Sequence, residues 1–373
     1  MYKRYLSDEI NKRTGKGKAI ILLGPRQTGK TTLIKNLLSS KEHLFLNGDD
    51  PSVRALLNEP NTEEIKLILG NYKYLFIDEA QRIEGIGFTL KIISDQFKDI
   101  QIFTSGSSSF DLGNKIKEPL TGRKWEYHLY PLSWEEFENH HGYLHAQQQL
   151  ENRLLYGFYP DVLNNPGDEK TVLRNLVDSY LYRDILAFAD IRKPEVLDKL
   201  VQALALQLGS EVNYNELSQM VNVDKNTVSK YIDILQKGFV IFKLGSFSRN
   251  LRHEIKTSKK IYFYDTGIRN MIIGNFNPLD LRNDKGALWE NFLISERIKQ
   301  NHYKQKLARV YFWRTRKQQE IDFIEEEDGH LSAYEFKWSE KKIKEPTDTF
   351  LKGYKAKGMG IHRKNFREFV IRK

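Results

Sequence analysis

Residues 19–33 read Ala-Ile-Ile-Leu-Leu-Gly-Pro-Arg-Gln-Thr-Gly-Lys-Thr-Thr-Leu, a short apolar run followed by a glycine-containing loop. The apolar run, 19–23, is typical of a buried parallel strand, and the apolar spacing from Thr31 to Leu38 predicts a helix. The loop between them is Gly24-x-x-x-x-Gly29-Lys30-Thr31, the P-loop pattern. Its backbone N–H groups and the helix N-terminus would form a cradle for polyphosphate. A chance glycine turn is the alternative, but strand, loop, Lys-Thr pair and helix together favour a nucleotide site.

The P-loop pattern assigns roles to individual residues. Lys30 is predicted to reach the β and γ phosphates of ATP as a catalytic residue, and the Thr31 hydroxyl to ligate Mg²⁺. ATP and Mg²⁺ are therefore the expected substrate and cofactor. The predicted nucleotide-binding residues are Gly24, Pro25, Arg26, Gln27, Thr28, Gly29, Lys30, Thr31, Thr32 and Asp78.

A second apolar run, 74–77, ends in two carboxylates, Asp78 and Glu79. Because open parallel sheets place ligands at the carboxyl ends of their strands, Asp78 is expected beside the P-loop as a second Mg²⁺ ligand. Glu79 is the predicted general base that polarises the attacking water. The alternative is a strand that runs into the acidic start of a helix.

Two further residues are candidates for the γ-phosphate. Ser105 follows a third apolar run, 100–104, and could sense the γ-phosphate through a water, although an ordinary loop serine fits the pattern as well. Arg123 lies in Leu-Thr-Gly-Arg and is a candidate arginine finger or sensor, because such arginines neutralise transition-state charge. A surface arginine without catalytic role is an equally good interpretation.

The spacing of the apolar runs predicts the fold class. Five runs are strand-like, and helical patterns separate the first four, as in a right-handed βαβ parallel sheet. The predicted strands are 19–23, 44–46, 74–77, 100–104 and 125–130. We therefore expect an α/β protein with a P-loop parallel-sheet core that ends near residue 140.

Four stretches together resemble one family. GPRQTGKTTL, LFIDEAQRI, TSGSSSF and LTGRKWEYHLYPLSWEEF, in this order, resemble the prokaryotic AAA-type ATPases that carry a C-terminal domain of unknown function. The resemblance continues through YGFYPDVL and YLYRDIL to the end of the chain. It implies an ATPase core at residues 1–140, a helical lid at 141–193, a winged helix at 194–265 and a restriction-endonuclease-like domain at 266–373.

The third of these regions carries a helix–turn–helix pattern. Residues 214–221 and 225–235 read as two short helices, the second with Asp224 as its N-cap. Polar and basic residues that would face DNA are Lys225, Asn226, Ser229 and Lys230. A basic wing would add phosphate contacts from Arg249, Arg252, His253, Lys256, Lys259 and Lys260. Duplex DNA is the expected partner, and a protein partner is the alternative, because winged helices also serve as protein-binding modules.

The last region contains an Asp…Glu-x-Lys arrangement. Glu335 and Lys337 alternate along a predicted strand, Asp322 lies on the preceding one, and Glu290 lies on a predicted helix. This resembles the metal site of restriction-endonuclease-like folds, where carboxylates hold a divalent cation and the lysine polarises water. A solvent-facing strand with alternating charges is the alternative, and folds of this type are often reused for binding without cleavage.

Composition limits the class of protein. The 373 residues carry a formal charge of +10 and no cysteine. A basic chain favours polyanionic partners, and the lack of cysteine excludes disulfides and fits a cytoplasmic location. An apolar signal segment and a bilayer-length apolar run are both missing, so no membrane association is expected. The sequence thus favours an ATPase that acts on or is regulated by DNA. A nucleotide switch and an ATP-licensed nuclease are the alternatives. Self-association into a homo-oligomer would let Arg183 act in trans across a subunit interface, and a salt bridge within or between helices is the simpler interpretation of that arginine.

Overall fold

The computed structural model describes residues 1–107, 116, 119–179, 193–249, 258–315 and 317–371. These residues divide into two units. The first unit comprises Met1–Leu132 and Lys237–Phe239, and the second comprises Ser133–Gln236 and Val240–Lys373. Arg183, Arg252, His253 and Lys256, which the sequence assigned to an interface and a basic wing, lie outside the described residues. In the described part of the chain, no helix has both the length and the apolar character needed to cross a membrane.

The first unit is an alternation of strands and helices around one sheet. Its strands are β1 (Ala19–Leu23), β2 (Leu44–Asn47), β3 (Tyr74–Asp78), β4 (Gln101–Gly106) and β5 (Lys124–His128). Its helices are α1 (Tyr5–Arg13), α2 (Lys30–Leu37), α3 (Pro51–Leu57), α4 (Thr62–Leu69) and α5 (Ile86–Gln96), with a 3₁₀ helix at Ala80–Arg82.

All neighbours in this sheet are parallel, in the order β2-β3-β4-β1-β5. Every residue of β1 and β4 is buried, as expected for central strands covered on both faces. The predicted α/β class and parallel sheet are confirmed, and the five predicted strands lie within two residues of the observed ends. The carboxyl ends of β1 and β3 flank that of β4, which brings the P-loop and Asp78 to one edge of the sheet.

The second unit begins with helices and ends with a mixed sheet. Its helices are α6 (Trp134–His141), α7 (Tyr143–Tyr156), α8 (Pro160–Asn164), α9 (Glu169–Val177), α10 (Pro194–Leu206), α11 (Tyr214–Val221), α12 (Lys225–Lys237), α13 (Thr266–Ile272), α14 (Lys285–Tyr303), α15 (Asp348–Tyr354) and α16 (Arg367–Val370). Its strands are β6 (Glu211–Val212), β7 (Ile241–Ser246), β8 (Lys259–Phe263), β9 (Arg309–Arg314), β10 (Glu320–Glu327), β11 (His330–Phe336) and β12 (Lys357–Ile361). Short 3₁₀ helices lie at Leu279–Leu281 and Glu340–Lys342.

The seven strands of this unit form one sheet in the order β12-β11-β10-β9-β7-β8-β6. Three pairs of neighbouring strands are antiparallel: β7 with β8, β9 with β10, and β10 with β11. The strands before residue 265 join the strands after residue 308 where β7 runs parallel to β9, with Gly245 beside Tyr311 and Ser246 beside Phe312. Strands that the sequence assigned to a winged helix and to a separate C-terminal domain are therefore hydrogen-bonded in one sheet.

The boundary of the first unit also differs from the predicted one. The sequence placed the end of the ATPase core near residue 140, whereas α6 belongs to the second unit. The reason is a buried contact at the start of this helix: the Trp134 N–H donates to Glu296 Oε2 on α14 at 2.7 Å. Trp134 also packs edge-on against Phe292 of the same helix.

Asp265 joins α7 to α13 in the interior of the second unit. Its carboxylate accepts the Phe158 N–H at 2.7 Å and caps α13 through the Ile268 N–H at 3.1 Å. The backbones approach so closely that a Cβ on Gly267 would lie 2.2 Å from the Tyr156 carbonyl oxygen. Glycine is therefore required at position 267 by packing.

We expect Gly267→Ala to destabilise the second unit by about 1–3 kcal/mol, the usual cost of forcing a methyl group into a filled interior. Urea unfolding followed by circular dichroism measures this effect. Gly286→Ala on α14 is the matched control, because a Cβ there meets no atom within 4 Å and alanine favours a helix. Equal stability of the Gly267→Ala variant and the wild type would contradict the packing argument.

Candidate functional site

The P-loop between β1 and α2 has a backbone that only some residues adopt. Gly24 has a φ of 154°, Gln27 of 58° and Gly29 of 89°. A Cβ on Gly24 would lie 2.1 Å from the Leu129 carbonyl oxygen, so glycine is required there. Gly29 precedes α2 directly and leaves its side-chain position open. The loop is thus shaped so that backbone N–H groups, with few side chains in the way, surround the start of the helix.

Lys30 begins α2, and its side chain folds back over the loop. Its Nζ donates to the Gly24 carbonyl at 2.9 Å and to the Pro25 carbonyl at 2.8 Å. Lys30 is only 5% exposed, so these carbonyls hold a buried ammonium group above the loop. Phosphate oxygens are stronger acceptors than carbonyls, and the arrangement fits a lysine that exchanges loop carbonyls for phosphates.

Arg4 supports the P-loop from the N-terminal segment, a role that sequence reasoning missed. Its guanidinium donates to the Thr28 carbonyl at 2.7 Å and to the Tyr130 carbonyl at 2.6 Å. Arg4 is buried, so it fixes the loop to the segment after β5. No local pattern marks this contact, because its partners lie far from Arg4 in the sequence.

Asp78, at the carboxyl end of β3, is the point where the two halves of the site meet. Its Oδ2 accepts the Thr31 hydroxyl at 2.7 Å, and its Oδ1 accepts the Glu79 N–H at 3.1 Å and the Ser105 hydroxyl. A hydroxyl and a carboxylate in contact at the start of a P-loop helix supply the hard oxygen ligands that Mg²⁺ prefers. Thr31 and Asp78, predicted separately, are thus brought together.

Ser105 lies behind Asp78 in the sheet. Its side chain is fully buried and donates to the aspartate. This placement indicates that Ser105 orients Asp78, and it does not support the predicted sensing of a γ-phosphate.

Glu79 is held by a buried glutamine that sequence reasoning also missed. The Gln81 Nε2 donates to Glu79 Oε2 at 2.6 Å and to the Ser107 Oγ at 3.0 Å. Gln81 is 3% exposed, and Glu79 has a positive φ of 48°. A strained backbone and a fixed partner together give the Glu79 carboxylate one orientation beside Asp78.

We expect Gln81→Ala to lower the kcat of ATP hydrolysis about 10-fold with little change in KM, because a general base loses rate when its position is less defined. Steady-state kinetics with Mg²⁺ and ATP measures both constants. Gln101→Ala is the matched control, since Gln101 is a buried glutamine at the opposite end of β4. An equal loss of kcat in both variants would show a general packing effect and contradict the positioning role.

Arg123 is not brought to the P-loop of its own chain. It immediately precedes β5, and its carbonyl accepts the N–H of Ala19, the first residue of β1. Because the strands are parallel, this is the amino edge of the sheet, opposite the nucleotide loop. Its guanidinium instead pairs with Asp95 of α5 at 2.5 Å. The structure thus corrects the expectation that Arg123 meets the γ-phosphate within one chain.

The second predicted site also converges. On β10, Asp322 accepts the Phe336 N–H at 2.8 Å, which places it beside the end of β11. The Lys337 ammonium lies 3.5 Å from Asp322 and 3.7 Å from Glu335. Glu290 reaches the same region from α14. Its Oε1 accepts the Tyr262 hydroxyl at 2.5 Å. We call Glu290, Glu320, Asp322 and Glu335, with Lys260 and Lys337, the carboxylate cluster.

Burial changes the acid–base behaviour of the carboxylate cluster. Burial, and then the charge of Asp322, raises the pKa of Glu335 to about 8. Burial also raises the pKa of Glu290 to about 7, although the Lys260 ammonium opposes the shift. Among the described residues, no group of three or more histidine or acidic side chains is arranged to hold a metal ion. The predicted second divalent metal is therefore not shown.

Lys260 corrects part of the predicted basic wing. The sequence pattern predicted that Lys260 contacts phosphates at the surface, but its side chain is 3% exposed and faces the carboxylate cluster. The reason is the alternation of side chains along β8, which turns one of the two adjacent lysines inward. Lys259 and Arg249 remain as described members of the wing, and the Arg249 guanidinium lies over the Tyr354 ring.

The predicted recognition helix corresponds to α12. Its apolar face is buried, and Asp224 caps it by accepting the Asn226 N–H at 2.8 Å and the Thr227 N–H at 3.0 Å. Lys225, Asn226 and Lys230 are exposed. A solvent-facing row of basic and amide side chains on such a helix has the chemistry to contact phosphates and base edges.

The parallel sheet, the glycine loop and the Thr31–Asp78 pair define a P-loop nucleotide-binding protein. Family models agree with this class. An AAA domain matches residues 16–138, a domain of unknown function (DUF8612) matches 147–279, and another (DUF4143) matches 285–372. The chain thus combines an AAA domain with a C-terminal domain of unknown function, which confirms the family resemblance seen in the sequence.

Similar proteins occur in bacteria and in an archaeon, Methanocaldococcus jannaschii. An uncharacterized protein of Mycobacterium tuberculosis is 27% identical to this chain, and the alignment covers 90% of this chain and 74% of the relative. An uncharacterized protein of Haemophilus influenzae is also 27% identical, and the alignment covers 73% of this chain and 71% of the relative. Among solved structures, the Walker-type ATPase PABY2304 of Pyrococcus abyssi has a TM-score of 0.50 and 16% identity, over 73% of this chain and 96% of that one. This likeness concerns the fold.

Proposed function

We propose that this protein is a cytoplasmic, Mg²⁺-dependent ATPase of the AAA type whose turnover is regulated by duplex DNA. The observation that supports it most directly is the Thr31–Asp78 hydrogen bond, which joins the P-loop to the end of β3. The Thr31 hydroxyl and the Asp78 carboxylate are ligand types suited to Mg²⁺, and this ion, when bound, would neutralise charge on the phosphates. Lys30 binds the phosphates, and Glu79 accepts a proton from the attacking water.

Regulation by DNA is supported by the exposed face of α12 and by the charge of +10. Helices of this kind dock in a major groove, with lysines on the phosphates. We expect duplex DNA to raise the rate of ATP hydrolysis several-fold, with a strong dependence on salt.

The test compares steady-state ATP hydrolysis with and without duplex DNA in the wild type and in Lys225→Glu/Lys230→Glu. The double substitution should abolish the response to DNA and leave the basal rate unchanged. Lys66→Glu/Lys73→Glu, on the exposed surface of the first unit, is the charge-matched control. A rate that does not respond to DNA would reject DNA regulation. It would favour the alternative, a slow nucleotide switch that acts on a protein partner.

An ATP-licensed nuclease is a second candidate, favoured by the convergence of Asp322, Glu335 and Lys337. It requires that a second divalent metal ion, besides the one bound with ATP, binds at the carboxylate cluster. Nicking of supercoiled DNA that depends on Mn²⁺ and is lost in Asp322→Ala supports it. The absence of nicking under these conditions rejects it.

Self-association, which would let an arginine act in trans, is tested by sedimentation with ATP.

A further inference from the structure

Lys260 is a buried cation held between two acidic side chains. Its Nζ lies 2.6 Å from Glu320 Oε1 on β10 and 3.4 Å from Glu290 Oε1 on α14. Its ammonium also lies 5.4 Å above the Phe312 ring. Burial alone would lower the pKa of Lys260, but the charges of Glu290 and Glu320 raise it above its ordinary value. Lys260 therefore remains charged at neutral pH.

Tyr262 acts with Lys260 on the same carboxylate. The two residues are two positions apart on β8 and point to one face of the sheet. Both reach Glu290 Oε1, the lysine with its ammonium and the tyrosine with its hydroxyl. Glu290 is thus fixed by β8, which belongs to the predicted winged-helix region, while its helix belongs to the C-terminal region.

The carboxylate cluster has more acidic than basic groups. Four carboxylates, those of Glu290, Glu320, Asp322 and Glu335, face the ammonium groups of Lys260 and Lys337, and the Arg314 guanidinium lies 4.0 Å from Glu320. Lys337 is 41% exposed and Arg314 is 37% exposed, whereas Lys260 is 3% exposed. An unpaired buried charge costs several kcal/mol, so a cation inside the cluster favours the ionised form of the carboxylates that it contacts. A divalent metal ion could supply that charge, but it would compete with the Lys260 ammonium for the oxygens of Glu290 and Glu320.

We propose that Lys260 is the resident cation of the carboxylate cluster and closes the cluster to divalent metal ions. The ammonium group pairs with both Glu290 and Glu320 in place of a metal, and the pairing of β8 in the sheet keeps it there. The C-terminal site is therefore closed in this state of the protein. This role depends on charge and geometry, and it does not require that the protein cleaves DNA.

The test is a Mn²⁺ titration followed by electron paramagnetic resonance on the nucleotide-free, full-length chain. The wild type should show no Mn²⁺ binding that is sensitive to Asp322→Asn. Lys260→Met should gain one Asp322-dependent Mn²⁺ site. Its affinity should be at least about 10-fold higher than that of any such site in the wild type, a difference in binding free energy of about 1.4 kcal/mol or more. Lys260→Arg, which keeps the charge, should gain none. Lys243→Met is the matched control, because Lys243 on the neighbouring β7 is paired with Asp233 outside the cluster.

Asp322-dependent Mn²⁺ binding by the wild type would overturn the proposal, as would Lys260→Met without a gained site. If Lys260→Met does not fold without metal, Mn²⁺ should restore a cooperative thermal transition, and a chain that stays unfolded at millimolar Mn²⁺ overturns the proposal. Nicking assays on the same samples separate the two questions. A variant that binds Mn²⁺ and does not nick DNA supports the closed site and rejects the nuclease.

Discussion

Glu79→Gln is expected to lower ATP hydrolysis by about 100-fold or more while ATP binding is retained. Glutamine has the size of glutamate and can still pair with Gln81, but its amide cannot accept the proton of the attacking water. The positive φ of Glu79 and its 2.6 Å contact with Gln81 show a side chain that the fold holds in one place. The substitution should therefore remove the base and preserve the nucleotide site.

Single-turnover hydrolysis and equilibrium binding of ATP measure the two effects separately. Glu84→Gln is the matched control, because Glu84 is an exposed glutamate a few residues further along. It should behave as the wild type does. Normal hydrolysis by Glu79→Gln would show that another group activates water, and the assignment of the base would be wrong.

Lys30→Ala should weaken ATP binding by at least about 100-fold. Each hydrogen bond between an ammonium and a charged phosphate contributes about 1.5–3 kcal/mol, and Lys30 is placed to make two. The structure shows that its Nζ already holds two acceptors of the loop, the carbonyls of Gly24 and Pro25. Loss of the side chain removes the phosphate contacts and the lysine's hydrogen bonds to the loop, while the Pro25 carbonyl still accepts the Thr28 hydroxyl at 2.9 Å.

Isothermal titration with Mg²⁺ and a non-hydrolysable ATP analogue measures the affinity. Lys35→Ala, an exposed lysine on the same helix α2, is the control for loss of positive charge. Its affinity should stay within about 2-fold of the wild type. Equal affinities of Lys30→Ala and Lys35→Ala would mean that the P-loop lysine is not the phosphate ligand.

The residues that the sequence located best are those whose chemistry lies in a short contiguous pattern. The P-loop and the Asp78–Glu79 pair each follow one strand, and parallel strands bring their carboxyl ends together. Gln81 lies in the same stretch as Glu79, but a glutamine at this position has no pattern that marks it as the partner of the base. Arg4 was missed because its partners lie far away in the sequence. Arg4 meets Thr28 and Tyr130 across the fold, and a lone arginine near an N-terminus has no pattern that would reveal this.

Two wrong expectations have simple geometric causes. Arg123 precedes β5, and the residue before a parallel strand lies at the amino edge, so the strand order alone would have excluded it from the P-loop of its own chain. Lys260 follows Lys259 in a strand, where one of two neighbours must point inward. The alternation of side chains does not tell whether Lys259 or Lys260 points inward, because the inward side is the side of the sheet that α14 covers.

The pairing of β7 with β9 has a consequence for how the second unit can be divided. Removal of everything after residue 284 would expose the β9-facing side of β7 and leave its N–H and C=O groups open at a new edge. Exposed edges recruit strands from other molecules and promote aggregation. Either of the DUF8612 and DUF4143 regions, expressed alone, should therefore be less soluble than the two regions expressed together.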